Sequence, residues 1–352
     1  MSEHRDWALV VRRAKPDDEE AVLRFASRTW DDWDYIPHAW PRWLEERDGV
    51  MLVATTPDDT PVAVVRVAMP ALGEAWLEGI RVDPDVRGMD VATDLQVAEL
   101  HWAAANGARI VRYATSARNE GSHRLGARGG FEHIVSLLST WWAPYGLPTG
   151  HNEDEPSGFV PEVQEDARRR RRALLREAAT AGKVAREREA DMLWAAISAD
   201  ESFRLAASLY EPRPWALDEL TPDKFVAHVR AGEVLTLGGR GAFAVAVLVG
   251  DVAPAEDAAL RFALLCGVPN AAFQLLEELR DLADEPIRFR YAAGAPLVET
   301  IEDRYRAAGY AFPEWAMHVM ARRIDEANPV PEIDPGALIL ADPPAATIVP
   351  PR

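Results

Sequence analysis

At 352 residues, with 48% hydrophobic and 27% charged residues, the chain is long enough for two domains and reads as a water-soluble globular protein. A net charge of -18 excludes nucleic acid as a main partner, because phosphate contacts require a cationic surface. The single cysteine, Cys266, excludes an intramolecular disulfide framework and a cysteine-rich metal site, and its apolar neighbours point to a buried structural thiol.

In chain order, residues 9–13 read as a first strand and Pro16-Asp17-Asp18 as a helix start with acids in its first turn. The apolar runs 50–54 and 62–68 flank Pro57-Asp58-Asp59-Thr60-Pro61, a hairpin signal. Residues 75–82 read as a strand, 92–106 as a helix stopped by Gly107, and 110–115 as the next strand. A short helix over 122–128 and closing strands over 131–142 complete an α/β pattern.

Segment 144–161, rich in Pro, Gly and acids, marks a linker, and 165–197 carry one long helical pattern bracing the two halves. That pattern holds Arg168 to Arg172, either a helix face neutralised by acids or a polyanion site. The second half then repeats the first loosely. Residues 234–237 and 242–250 read as a hairpin, 258–265 as a strand, 271–283 as a helix and 287–292 as a strand. A helix through Arg304-Tyr305-Arg306 follows, and Gly309-Tyr310 mirrors Gly130-Phe131. Seven prolines from Asn328 onward suggest a mobile or docked tail. The expected organisation is a first domain over 1–146, a linker and bracing helix over 147–190, a second domain over 191–326 and a tail over 327–352.

No apolar run reaches the length of a membrane span, and the first six residues lack the features of a signal peptide. The expected location is the cytoplasm, with no membrane partner. Sequence leaves monomer and homodimer open.

The most informative stretch is Val82-x-Pro84-x-x-Arg87-Gly88-x-x-Val91-Ala92. A strand, a Pro-Asp turn and an Arg-Gly loop feed a helix N-terminus, which gathers N–H donors suited to phosphate. This order resembles the acetyl-CoA-binding segment of the GNAT N-acetyltransferase family. Asn119 and Ser122, followed by Gly129-Gly130-Phe131, resemble that family's later Asn, helix and Gly-Phe segment.

The resemblance covers roughly residues 8 to 145, and the loose repeat looks like a second, degenerate GNAT-like unit in tandem. It implies a mixed, mostly antiparallel sheet flanked by helices. It also implies acetyl transfer from acetyl-CoA, as co-substrate, to a primary amine of a small molecule by direct attack. The alternative is a catalytically silent acyl-CoA-binding or scaffolding protein. Two positions depart from the family pattern: Asp90 stands where glycine is usual, and Gly126 where a tyrosine often serves as general acid.

By the same resemblance Glu78 is the candidate base, with pairing to Arg81 or Arg112 as its structural alternative. Backbone groups of Ile80, Arg81 and Val82 would pair with the pantetheine arm, and Arg87, Gly88, Met89, Asp90, Val91, Ala92 and Thr93 would line the pyrophosphate. Asp90 either points inward and repels phosphate, or points out or caps the helix and leaves the site intact. Asn119 and Ser122 would contact the distal coenzyme or cap the next helix, and Tyr113 or His123 would protonate the leaving thiolate. Trp30, Trp33 and Tyr35, in a segment that continues to Trp40 and Trp43, form either an aromatic pocket for the amine or a core-facing stripe. The loop Gly267-Val268-Pro269-Asn270 lacks Arg-x-x-Gly, so the second unit is expected to have no coenzyme site.

Overall fold

The computed structural model describes residues 6–28, 34–142, 161–239, 242–249, 260–283, 286–312 and 315–342. Contacts divide the chain into two compact units, each discontinuous in sequence. The first takes the described residues of Met1–Thr115, Asn119–His133 and Val319–Arg352, and the second those of Ser116–Arg118 and Ile134–His318. Among the described residues no helix is long and apolar enough to cross a membrane.

The first stretch of chain runs β1 (Leu9–Arg13), α1 (Glu19–Ala26), α2 (Ile36–Glu45), β2 (Gly49–Thr55), β3 (Pro61–Ala71) and β4 (Glu74–Val82). It continues through α3 (Val91–Ala105), β5 (Ile110–Ser116), α4 (Glu120–Arg128) and β6 (Glu132–Trp142). β2 and β3 are runs of valine, alanine, leucine and methionine, and they pair antiparallel across the Pro57 to Pro61 turn. α3 stops where Gly107 takes φ +83°, and α4 starts where the Asn119 side chain accepts the Ser122 N–H at 3.0 Å.

Both faces of this part of the sheet are covered, which is why its strands read as continuous apolar runs. Val65 and Val67 pack in the cluster with Leu95 and Leu100 of α3, whereas Val64 packs with Phe25, Ile36, Trp40 and Trp43 of α1 and α2.

The second stretch holds α5 (Pro161–Thr180), α6 (Ala190–Ala199), α7 (Glu201–Leu205), β7 (Leu209–Arg213), β8 (Ala216–Glu219), α8 (Pro222–Arg230), β9 (Val234–Gly239) and β10 (Ala242–Leu248). Then come β11 (Leu260–Gly267), α9 (Pro269–Ala283), β12 (Ile287–Ala292), α10 (Pro296–Glu299) and α11 (Glu302–Ala307). The single bracing helix expected over 165–197 is two helices. Gly182 at φ +70° follows the end of the first, and α-helix resumes at Ala190 after a short 3-10 turn over Glu187–Glu189. The closing strands expected over 131–142 are one strand, β6.

Four strands lie outside the expected elements: β7, β8, β13 (Met317–Arg323) and β14 (Leu338–Leu340). In the first unit the strand order is β14-β1-β2-β3-β4-β5-β13, and in the second β6-β12-β11-β10-β9, with β7 and β8 a separate pair. The described part of the tail is docked on the first unit: β14 pairs parallel with β1, and Pro331 O meets His101 Nε2 at 2.9 Å.

Candidate active site

β4 and β5 pair in parallel at Glu74↔Ile110, Ala75↔Val111 and Trp76↔Arg112, and the pairing goes no further. Residues 77–82 therefore present a backbone edge that β5 does not use. On the other edge β4 carries a bulge against β3, where Val64 faces Arg81 and Arg66 faces Glu78. Gly79 lies inside that bulge at φ +74°, with the Trp43 ring so close that a Cβ would fall 2.7 Å from it, so only glycine fits.

Beyond β4 the chain makes a short turn in which Asp83 accepts the Asp85 N–H, then enters the Arg87-Gly88 loop. Gly88 is exposed at φ +83°, and a Cβ there would meet nothing within 4 Å, so the backbone borders open space. Among the described residues nothing accepts the N–H of Gly88, Asp90, Val91, Ala92 or Thr93. Arg87 is exposed with no ion-pair partner among them. Open donors at a helix N-terminus beside a free guanidinium suit an anion chemically.

Asp90 holds the N-cap position of α3 but does not cap it. Its backbone is left-handed at φ +56°, its side chain accepts nothing from α3, and Oδ1 lies 3.4 Å from Arg128 Nη1. The expectation that Asp90 caps the helix is thus corrected, because the carboxylate pairs with Arg128 instead. A left-handed aspartate costs about 1 kcal/mol relative to glycine, and the forgone cap about as much again.

Glu78 pairs with neither Arg81 nor Arg112, which take Asp34 (2.5 Å) and Glu74 (2.6 Å). Its partner is Arg66, directly opposite on β3 and fully buried, which also binds Glu46 at 2.5 Å and Asp48 at 2.9 Å. Burial works against the Arg66 charge, but the attraction of Glu78, Glu46 and Asp48 outweighs it and raises the guanidinium pKa. Arg66 is the participant that sequence reading missed; the signal was one charge inside the apolar run Val64-Val65-Arg66-Val67.

Tyr113, on β5, donates its hydroxyl to Ser122 O at 3.1 Å and stacks edge-on against Phe131. Burial pushes its pKa up to about 12, so it keeps its proton across the neutral range. A Cβ on Gly126 would collide with Tyr113 Oη, so the phenol fills the space that a side chain from α4 would need. Asn119 is the cap of α4, and His123 is half-buried on that helix. Tyr35 packs edge-on against Trp43 at 5.8 Å. Trp40 and Trp43 are core residues, 1% and 3% exposed, and Trp30 and Trp33 lie outside the described residues.

Residues 15–131 match the family model described as acetyltransferase (GNAT) family. This stretch is a GNAT acetyltransferase domain. No curated protein matches the chain in sequence. Among solved structures, a candidate acetyltransferase from Thermoplasma acidophilum is 15% identical, with 90% of this chain and 100% of that one covered at a TM-score of 0.48. A GCN5-related N-acetyltransferase from Kribbella flavida is 14% identical over 91% of this chain and 72% of that one, at a TM-score of 0.43. An acetyltransferase of the GNAT family from Streptococcus pneumoniae is 16% identical over 37% and 88%, at a TM-score of 0.32.

The β4–β5 divergence of the GNAT domain has a parallel in the second unit. β11 and β12 pair at Leu260↔Ile287, Arg261↔Arg288 and Phe262↔Phe289, and then stop. There α7 packs against both strands, and Asp200 Oδ2 accepts the Gly267 N–H at 3.0 Å. Cys266, beside it, is fully buried, and burial pushes its thiol pKa up. Arg171 of the arginine run is engaged by Glu233 and Leu248 O, and Arg168, Arg169, Arg170 and Arg172 also have partners.

Proposed function

We propose that the GNAT domain transfers an acetyl group from acetyl-CoA to a primary amine of a small molecule by direct attack. The observation that carries this reading is the edge of residues 77–82, which opens toward a loop of unclaimed N–H donors. Acetyl-CoA would supply the activated acyl group as a thioester. Residues of this chain fit it: the amides of Ile80, Arg81 and Val82 offer strand-like pairing to the pantetheine arm. Gly88, Met89, Asp90, Val91, Ala92 and Thr93 surround the place for the pyrophosphate, and Arg87 contributes the charge. Asn119 and Ser122 would contact the distal coenzyme, although the Asn119 oxygen is already spent on the Ser122 N–H.

Glu78 would take the proton of the attacking amine. Arg66 anchors Oε1, and nothing among the described residues binds Oε2. Tyr113 is the preferred donor to the leaving sulfur, because its proton is held at neutral pH and it fills the space beside Gly126; His123 is the other candidate. Tyr35 would border the acceptor; Trp30 and Trp33, assigned with it to the aromatic pocket, lie outside the described residues. The net charge of -18 favours a cationic acceptor only mildly.

We read the second unit as GNAT-like without a coenzyme site, since α7 fills its strand divergence and Asp200 takes the loop N–H that a phosphate would need. The chain would act in the cytoplasm, as a monomer or homodimer.

The test is thiol release from acetyl-CoA across a panel of amines, for wild type and Glu78→Gln. The reading expects amine-dependent release that falls by about a hundredfold or more in the variant, with coenzyme affinity retained. The rival, a silent acyl-CoA binder, draws support from the engagement of Glu78 by Arg66; it expects binding without release in both proteins.

A further inference from the structure

An N-cap aspartate ordinarily takes extended backbone and accepts the N–H of the second or third helical residue. Asp90 does neither, because its backbone is left-handed and its carboxylate lies against Arg128, in the last turn of α4. The N–H groups of Val91, Ala92 and Thr93 consequently stay open. The Asp90 carboxylate belongs to the residue directly before Val91, and a helix N-terminus attracts it. Asp90 is therefore a tethered competitor for any anion that this loop holds.

We propose that Arg128 restrains Asp90 away from the α3 N-terminus and so keeps those N–H groups available for the coenzyme pyrophosphate. The inference rests on the coenzyme assignment made above. Glycine at position 90 would need no such restraint, having no carboxylate and adopting positive φ freely. Arg128 thus offsets the departure of this chain from the family pattern at Asp90.

Both partners are more than half exposed, at 63% and 55% of their side-chain surface, so the restraint is modest and so is the expected effect. The test is calorimetric titration of acetyl-CoA into the full chain, with thermal midpoints recorded alongside. Wild type, Arg128→Ala, Asp90→Gly and the double variant are compared.

Arg128→Ala is expected to bind about fivefold more weakly, because part of the population has its loop closed by Asp90. Its midpoint is expected to fall slightly, since by capping α3 the freed carboxylate regains only part of what the ion pair contributed. Asp90→Gly with Arg128→Ala is expected to bind within about twofold of wild type. A double variant as weak as Arg128→Ala would overturn the proposal, as would an Arg128→Ala protein of unchanged affinity. A wild-type chain that binds no acetyl-CoA sinks the coenzyme assignment instead, and the midpoints then decide. A fall in Arg128→Ala that is missing between Asp90→Gly and the double variant supports the restraint, and equal shifts in the two backgrounds overturn it.

Discussion

Arg66 and Glu78 face each other across β3 and β4, and the guanidinium that anchors Glu78 also holds Glu46 and Asp48. The two residues should respond differently to mutation. Glu78→Gln leaves Arg66 with two carboxylates, so the denaturant midpoint should change little while turnover is lost. Arg66→Met strands three carboxylates at partly buried positions and should cost about 3 kcal/mol, measured by chemical denaturation. A Glu78→Gln protein as unstable as Arg66→Met would make Glu78 a structural residue only.

Tyr113 and Gly126 compete for one space. Gly126→Ala gains about 1 kcal/mol of helix propensity, but its methyl group would displace the phenol, at about 1–3 kcal/mol for overpacking. Net destabilisation is expected, eased when Tyr113→Phe is combined with it. Tyr113→Phe alone forfeits the bond to Ser122 O, worth about 1 kcal/mol, and should slow thiol release at saturating acetyl-CoA. Unchanged release in that variant would return the proton-donor role to His123.

Glu99, in the middle of α3, is 2% exposed, and Oε1 has no hydrogen-bond partner among the described residues. Burial raises its pKa well above the ordinary 4.5, so the folded chain keeps a proton that the unfolded chain releases. Stability is therefore lost as pH rises from 4.5 through the folded value, and Glu99→Gln should remove that loss. Denaturant midpoints taken from about pH 4 to pH 8 should show a gap favouring the glutamine variant that widens with pH. A gap independent of pH would mean that Glu99 is charged in the folded protein.

Much of the first unit was legible because its signals are local. The Pro57 to Pro61 turn, Gly107 and the Arg87-Gly88 loop each act within a few residues and mark off β2, β3, β4 and α3, whereas α2 was not read as an element. What was not legible depends on contacts far apart in sequence. Arg66 as the partner of Glu78 follows from strand register, and Asp90 with Arg128 from the approach of α3 and α4. β13 also lacks a local cue, since Met317–Arg323 mixes apolar and basic residues and takes its place beside β5 from much later in the chain. At Asp90 the local rule was right about position and wrong about conformation, because a partner 38 residues away claims the carboxylate.

The central claim is that the loop from Arg87 to Thr93 holds the coenzyme. Calorimetric titration of acetyl-CoA into wild type and Arg87→Ala tests it most directly. One saturable site, weakened about tenfold or more by loss of the guanidinium, is the expected result. No binding to wild type, or equal binding to both proteins, would contradict the claim.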